Sequence, residues 1–234
     1  MAKQIVPGVY TFTGLMAGRV YLIEGEDGLT VVDAGMNSAP AKIVKQLEAM
    51  GYQAGDVKRI LVTHAHPDHV GGLPELKQRT GAQVIASEIE KPVVEGIEPM
   101  PRPNREDLSG ISRLLAPAPA TVPGTPVDRA VADEDTIPDV LGGLVVLATP
   151  GHSPGHVSFW SPERRILFGG DVLFNVFGLR LPPAMVTVDM EEDKRSVARL
   201  TELDARVACF GHGPALVQNT SEALRAVARK VGAI

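Results

Sequence analysis

The stretch Thr63-His64-Ala65-His66-Pro67-Asp68-His69 contains four side chains that can bind a metal ion, and it directly follows a predicted apolar strand. In an extended chain, residues two apart point to the same side, so His64 and His66 can hold one metal ion together. Pro67 ends the extended path and lets Asp68 and His69 reach a second position nearby. On a helix, the two histidines would diverge by roughly 200° and the chelate would be lost. The spacing therefore predicts a metal site at the end of a strand.

Further candidate ligands lie in three later loops, each after a predicted strand. The loops are Thr149-Pro150-Gly151-His152-Ser153-Pro154-Gly155-His156, Phe168-Gly169-Gly170-Asp171 and Phe210-Gly211-His212-Gly213. Glycine lets the backbone approach a site closely, and loops on a rigid scaffold commonly carry function. A single buried histidine is most often a packing residue. Five of the six histidines and two aspartates at strand ends form a joint pattern, and that pattern predicts metal binding.

Composition narrows the class of protein. The chain has 234 residues, 44% of them apolar and 22% charged, so a buried core is expected and disorder of the whole chain is excluded. A net charge of −5 disfavours nucleic-acid binding. The one cysteine, Cys209, excludes a cysteine metal cluster and suits a reducing compartment. No apolar segment is typical of a signal peptide or a membrane span, so we expect a cytoplasmic protein without a membrane partner.

Residues 91–143 differ from the rest of the chain because they hold nine of its 19 prolines. We interpret residues 1–234 as one domain and residues 91–143 as a Pro-rich insertion, with short helices such as Asn104–Leu115. Long irregular segments are often lids over active sites, so we expect Met100, Leu114 and Leu115 to close over the metal.

The ligand pattern resembles that of the metallo-β-lactamase fold superfamily, in particular its small stand-alone bacterial hydrolases of the glyoxalase II-like and lactonase-like branches. The resemblance runs from Asp33, in Val31-Val32-Asp33-Ala34-Gly35, to His212. It implies the α/β (α+β) class and an αββα four-layer sandwich with a dinuclear metal site at the sheet edges. It implies a first metal bound by His64, His66 and His152, a second bound by Asp68, His69 and His212, and Asp171 bridging both. Asp33 matches an aspartate that orients the site without binding metal, and His156 matches a nearby position with no metal bond.

The resemblance and the ligand types together indicate a hydrolase. Nitrogen and carboxylate ligands suit two Zn²⁺ per chain and also tolerate iron, manganese or cobalt. Two such cations about 4 Å apart would hold a bridging hydroxide as the nucleophile at neutral pH. We expect Asp68 to relay a proton and Asp33 to orient the ligands, so both count as catalytic candidates. The predicted reaction is cleavage of an ester-like bond of a small molecule: a lactone, ester, thioester or β-lactam.

Differences between this sequence and known branches of the superfamily narrow the choice of predicted activity. Zinc β-lactamases of the main clinical group have cysteine where this chain has Asp171. Glyoxalase II enzymes share the Gly-Asp-x-Leu-Phe pattern but add a helical domain after the last histidine, whereas 22 residues follow His212 here. Acyl-homoserine lactonases have a tyrosine where this chain has Phe174. Lactone hydrolysis would therefore need another group to stabilise the oxyanion.

Candidate substrate-binding residues follow the bridging aspartate: Phe174 and Phe177 for an apolar pocket, and Arg180 for a carboxylate. Two other classes stay open. A mononuclear iron enzyme similar to persulfide dioxygenases shares the same histidine frame, and a non-catalytic binding protein could keep the fold. Homodimers are common among enzymes of this size, so a homodimer is also expected.

Overall fold

Two β-sheets stacked face to face form the centre of the structure, a computed structural model that describes residues 1–118 and 120–234. The first sheet contains seven strands in chain order: β1 Lys3–Val6, β2 Val9–Thr11, β3 Tyr21–Gly25, β4 Gly28–Val32, β5 Val57–Leu61, β6 Gln83–Ser87 and β7 Arg129–Val131. The second contains β8 Thr136–Ile137, β9 Leu144–Ala148, β10 Val157–Ser161, β11 Ile166–Gly170 and β14 Val207–Phe210, in the order β14-β11-β10-β9-β8. A small hairpin joins β12 Phe174–Asn175 to β13 Leu179–Arg180.

Helices cover the outer face of each sheet. Those of the amino-terminal half are α1 Pro40–Ala49, α2 Pro67–Val70, α3 Leu73–Thr80, α4 Lys91–Val94 and α5 Gly110–Leu115. Those of the carboxy-terminal half are α6 Met190–Thr201 and α7 Thr220–Val231. Short 3₁₀ turns occupy Ala54–Asp56 and Ala184–Val186. From the sequence alone, Val70–Thr80 is expected to form one continuous helix; the structure has two helices there, because the chain bends at Gly71 and Gly72.

Three apolar layers hold these elements together. One joins α1 and α3 to the first sheet, a second lies between the two sheets, and a third joins the second sheet to α6 and α7. Strand β5 shows how the sequence builds them, because Ile60 faces the helices while its neighbour Leu61 faces the other sheet. Such strands, buried on both faces, read as apolar runs. The predicted αββα four-layer sandwich is therefore confirmed.

The candidate ligands follow strands that end at the same edge of the sandwich. Strands β4 and β5 run parallel in the first sheet, as β11 and β14 do in the second. Each of these four strands delivers a functional loop at its carboxyl end, and parallel strands bring those ends together. The loops carry Asp33, the His64–His69 stretch, Asp171 and His212.

The Pro-rich segment differs from its prediction in several places. Its helix begins at Gly110 and not at Asn104. Residues 129–137 supply β7 and β8, one to each sheet, so the end of the segment belongs to the sandwich. Met100 is only 3% exposed and packs in the apolar layer that joins α1 and α3 to the first sheet. Leu114 and Leu115 are exposed on α5, and Pro119 lies outside the described residues. A lid role and the one-domain interpretation stay predictions.

Within the two described ranges, no helix combines the length and the hydropathy that crossing a membrane requires.

Candidate metal centre

Three histidines form a first group of converging ring nitrogens. His64 Nε2 lies 3.1 Å from His66 Nδ1, which in turn lies 2.9 Å from His152 Nε2. All three side chains are buried, and their ligand atoms lie within 4.8 Å of one another. Nitrogens of His64 and His66 therefore face the same point, and the loop after β9 adds the third nitrogen.

A second group combines Asp68, His69 and His212. Asp68 Oδ2 lies 3.1 Å from His212 Nε2 and 3.8 Å from His69 Nε2. His69 is fully buried, whereas Asp68 and His212 each keep 21% of the side chain exposed. This group therefore forms the solvent-facing side of the site.

Asp171 lies between the two groups and reaches both. Its Oδ2 lies 3.3 Å from His152 Nε2 and 3.3 Å from His212 Nε2, and 3.8 Å from His64 Nε2. Its Oδ1 lies 3.5 Å from His69 Nε2. One carboxylate thus borders four imidazoles drawn from both groups.

Two glycines make room for this crowding. A methyl group on Gly211 would overlap Asp171 Oδ1 and lie 2.8 Å from a ring carbon of His69. Gly170 has a φ of +54°, which L residues rarely adopt, and a methyl group there would overlap His156. The Gly-rich loops seen in the sequence are therefore required by close packing around the ligands.

Asp33 orients the second group from outside it. Its Oδ1 accepts a hydrogen bond from the Thr63 backbone N–H at 2.9 Å, and its Oδ2 lies 2.7 Å from His69 Nδ1. A proton on Nδ1 leaves His69 Nε2 free to bind a metal ion. Asp33 has a φ of 63°, a costly conformation for a residue with a side chain, and such strain concentrates at functional sites.

His156 supports Asp171 and belongs to neither ligand group. Its Nε2 accepts a hydrogen bond from the Asp171 backbone N–H at 2.9 Å, and its Nδ1 lies 2.8 Å from Thr149 Oγ1. An imidazole that accepts at Nε2 and donates at Nδ1 is neutral. Burial lowers the pKa of His156 to about 3, which agrees with that state.

The sequence interpretation missed Glu90, which joins the two loops of the first group. This side chain is buried and accepts three hydrogen bonds: from Ala65 N–H at 2.9 Å, Ser153 O–H at 2.6 Å and Gly155 N–H at 3.0 Å. Ala65 lies between His64 and His66, and Ser153 follows His152. Glu90 comes shortly after β6, so a carboxylate close to a strand end was the available signal.

The electrostatic field of the cluster favours positive charge at its centre. Burial acts to lower the pKa of His69, but the charges of Asp171, Asp33 and Asp68 outweigh it and raise that pKa well above its usual value. Burial also opposes protonation of His212, yet its hydrogen bonds to Asp171 and Asp68 raise its pKa to about 9. A cation bound there would satisfy the same carboxylates.

The donors fit a metal ion. His69 Nε2 and Asp171 Oδ1 are buried and have no hydrogen-bond partner among the described residues. Unpaired buried polar atoms are costly, and such atoms at the centre of a ligand cluster are explained by an ion that they bind. Imidazole and carboxylate donors without thiolate suit zinc or another divalent first-row metal.

The predicted substrate-binding residues occupy different positions around the site. The Phe174 ring lies 4.2 Å from the His212 ring, centroid to centroid, with 34° between their planes. Phe177 is 95% exposed at the tip of the β12–β13 hairpin, and Arg180 is exposed on β13 with its guanidinium 3.4 Å from the Phe177 carbonyl oxygen. Phe174 therefore borders the metal centre, while the other two project from the hairpin beside it.

Comparison with known proteins agrees with this geometry. The family model of the metallo-beta-lactamase superfamily matches residues 13–212. The probable metallo-hydrolase YflN of Bacillus subtilis is 28% identical over 97% of this chain and 92% of its own length. A hydroxyacylglutathione hydrolase of Methylobacterium is 32% identical over 89% of this chain and 70% of its own. The solved structure of BJP-1, a subclass B3 metallo-beta-lactamase of Bradyrhizobium japonicum, has a TM-score of 0.70 at 27% identity and covers 99% of this chain and 90% of its own. On the strength of both the ligand cluster and these matches, the chain belongs to the metallo-beta-lactamase superfamily of metal-dependent hydrolases.

Proposed function

We propose that this chain is a dinuclear zinc hydrolase that cleaves a lactone, ester, thioester or β-lactam bond of a small molecule. The observation that carries the proposal is Asp171, whose two carboxylate oxygens lie within 3.8 Å of imidazole nitrogens from both ligand groups. A carboxylate between two such groups suits a pair of cations better than a single one.

The proposed ligands follow the two groups. The first zinc would be held by His64, His66 and His152, the second by Asp68, His69 and His212, with Asp171 shared. When bound, the two cations would supply a nucleophile from water near neutral pH and a Lewis acid for the scissile carbonyl. Asp33 would keep the proton of His69 on Nδ1, and Glu90 would hold the first-group loops together.

Asp68 is the carboxylate that we propose to move a proton. Its side chain is 21% exposed, whereas that of Asp171 is 2% exposed. Only a carboxylate in contact with both the site and solvent can exchange a proton with bulk water. The oxygen of Asp68 that does not bind metal would therefore accept the proton of the attacking water and return it to the leaving group.

The substrate class is proposed from the surroundings of the site. The ring of Phe174 covers one face of His212 and offers an apolar wall but no hydrogen bond. Phe177 and Arg180 on the adjacent hairpin, together with the segment 91–143, would contact the outer part of a substrate. The named activities of two relatives, hydroxyacylglutathione hydrolysis and β-lactam hydrolysis, place thioesters and β-lactams in the first panel to test.

Metal analysis and turnover test the proposal together. The protein would be purified without added metal, analysed by mass spectrometry, and assayed against an ester, a lactone, a thioester and a β-lactam. We expect about two zinc ions per chain and turnover of at least one compound. Asp171→Asn should lose zinc and turnover, whereas Asp204→Asn, at an exposed surface aspartate paired with Arg165, should keep both.

Two results would contradict the proposal. Full activity of the Asp171→Asn variant would show that the shared carboxylate is not needed. One iron per chain with an inert panel would favour oxygen chemistry of the persulfide dioxygenase type.

We further propose that the enzyme is located in the cytoplasm and forms a homodimer. The single cysteine, which is buried, suits a reducing compartment.

A further inference from the structure

A cavity of about 240 Å³ lies beside the edge strand β1, between the first sheet and the chain that follows His212. One of its walls is a row of directly opposed residues, since Lys3 pairs with Thr11, and Thr11 pairs with Tyr21, across β1, β2 and β3. Opposed residues point to the same face of a sheet. Tyr21 packs in the layer between the two sheets, so Lys3 and Thr11 are on the face that is turned to that layer.

Arg19 and residues of the segment 213–217 complete the walls of the cavity. Arg19 lies two residues before the last member of the row, which is the spacing at which extended residues share a face. Its backbone N–H donates to the Gly211 carbonyl oxygen at 2.7 Å. The opposite segment is held to β14 by two hydrogen bonds between Leu216 and Ala208, at 3.0 and 2.9 Å. The walls are therefore paired backbone, which needs little rearrangement to accept a ligand.

The cavity is positively charged. Lys3 and Arg19 line it together, and no acidic residue lines it. Neither side chain forms an ion pair or a hydrogen bond within the part of the chain that the structure describes. By contrast, the surface cavity that contains Arg165 also contains Asp204, which forms an ion pair with that arginine. Two cations thus share one cavity that holds no counter-ion of its own.

The cavity is separate from the metal centre but adjoins it along the chain. None of the proposed metal ligands lines it. Gly18, which precedes Arg19, borders the second ligand group, because a methyl group on Gly18 would lie 3.3 Å from His69 Nε2. On the other wall, Gly213 directly follows His212. Each of the two walls is therefore one residue away, in the chain, from a residue at the metal centre.

We infer that this cavity is a second binding site, and that its ligand is a small organic molecule with a phosphoryl dianion. Two positive side chains match two negative charges, and the guanidinium fork of Arg19 fits the oxygens of a phosphoryl group. The Thr11 hydroxyl, whose bond to the Val20 carbonyl oxygen is 3.3 Å long, can turn to donate as well. Pockets for drug-sized ligands measure roughly 300–1,000 Å³, so this smaller cavity suits a phosphoryl group with a short organic part.

Calorimetric titration of the protein as purified tests the inference with two probes of similar shape. In mildly alkaline buffer phenylphosphonate is a dianion and benzenesulfonate is a monoanion, and neither has an ester bond that could be cleaved. We expect phenylphosphonate to bind in the cavity and benzenesulfonate to bind about tenfold more weakly or less. Arg19→Gln should weaken phenylphosphonate binding about 10- to 100-fold, since hydrogen bonds between charged groups are of that strength. Lys3→Gln, at an exposed lysine, should weaken it about two- to fivefold.

Two control variants remove the same charges elsewhere. Arg225→Gln on α7 and Lys45→Gln on α1 change exposed residues outside the cavity and should bind phenylphosphonate as wild type does. Metal content would be measured in every variant, because a bound metal ion can also hold a phosphonate. Weaker binding by Arg19→Gln at unchanged metal content supports the inference, whichever bond the metal centre cleaves.

Three results would overturn it. Phenylphosphonate does not bind to wild type; or Arg19→Gln binds it as tightly as Arg225→Gln does, which shows that the cavity is not its site; or Arg19→Gln loses its metal together with the probe, which places the probe on the metal.

Discussion

Glu90 offers the sharpest test of how the first ligand group is held. Its Oε1 accepts hydrogen bonds from Ser153 and Gly155, and its Oε2 accepts one from Ala65. Glu90→Gln keeps the shape of the side chain but replaces one carboxylate oxygen with an NH₂ group. In the better orientation Oε1 keeps its two donors, and the NH₂ faces the Ala65 N–H, so one buried donor is left without a partner.

The magnitude follows from that single lost bond. A hydrogen bond to a charged acceptor contributes about 1.5–3 kcal/mol, so the free energy of unfolding of the metal-free variant should fall by about 2 kcal/mol. Ala65 lies between two proposed ligands, so the imidazoles of His64 and His66 lose part of their alignment. Changes to groups that orient metal ligands typically weaken metal affinity by about 10- to 100-fold.

The assay measures zinc affinity and stability in parallel. Zinc would be titrated against a chromophoric chelator, and unfolding in urea would be followed with and without zinc. If two zinc ions bind as proposed, we expect one of the two affinities to fall in Glu90→Gln and the other to stay within about threefold, because the hydrogen bonds of Glu90 go to the loops of the first ligand group. A 100-fold weaker affinity also removes about 2.7 kcal/mol of zinc-dependent stabilisation at saturating metal.

Glu88→Gln is the matched control, since Glu88 is exposed and lies two residues away. It should leave both affinities and the unfolding free energy unchanged. The reasoning is refuted if Glu90→Gln binds two zinc ions as tightly as Glu88→Gln does. It is also refuted if the variant loses only stability, because Glu90 would then serve the fold and not the ligands.

Three further changes test other parts of the site and core. Asp33→Asn removes the carboxylate that holds His69, a member of the second ligand group, and should weaken one zinc affinity by about 10- to 100-fold in the chelator titration; an unchanged affinity would contradict its orienting role. Gly211→Ala should abolish zinc loading, because its methyl group overlaps Asp171, while Gly55→Ala, where a methyl group meets nothing within 4 Å, should load normally. Cys209 is fully buried, and burial raises the pKa of its thiol, so a disulfide reagent should label it only after unfolding in urea; rapid labelling of the native protein would show that the layer between the sheets opens readily.

Local patterns in the sequence were enough for several of the strands and helices. Turn residues and regular apolar periods predict a strand over Gln83–Ser87 and a helix over Thr220–Val231, and β6 and α7 have those bounds. The His64–His69 stretch depends on neighbours in the chain, so its ligand geometry also follows from local rules. The bend at Gly71–Gly72 could not be predicted from local rules, because the apolar period continues through both glycines.

By itself the sequence determined the mixture of strands and helices, the strand-end loops and the residue types that can bind metal, since those depend on periodicity and spacing within short segments. The four-layer sandwich was expected from the resemblance of the ligand pattern to a known superfamily. Tertiary structure decided everything that requires distant segments to meet. It joined Glu90 to the loop of His64 and His66 and to the loop of His152, and it buried Met100 in the core. Burial and pairing are properties of the packed chain, and for these residues no local pattern encodes them.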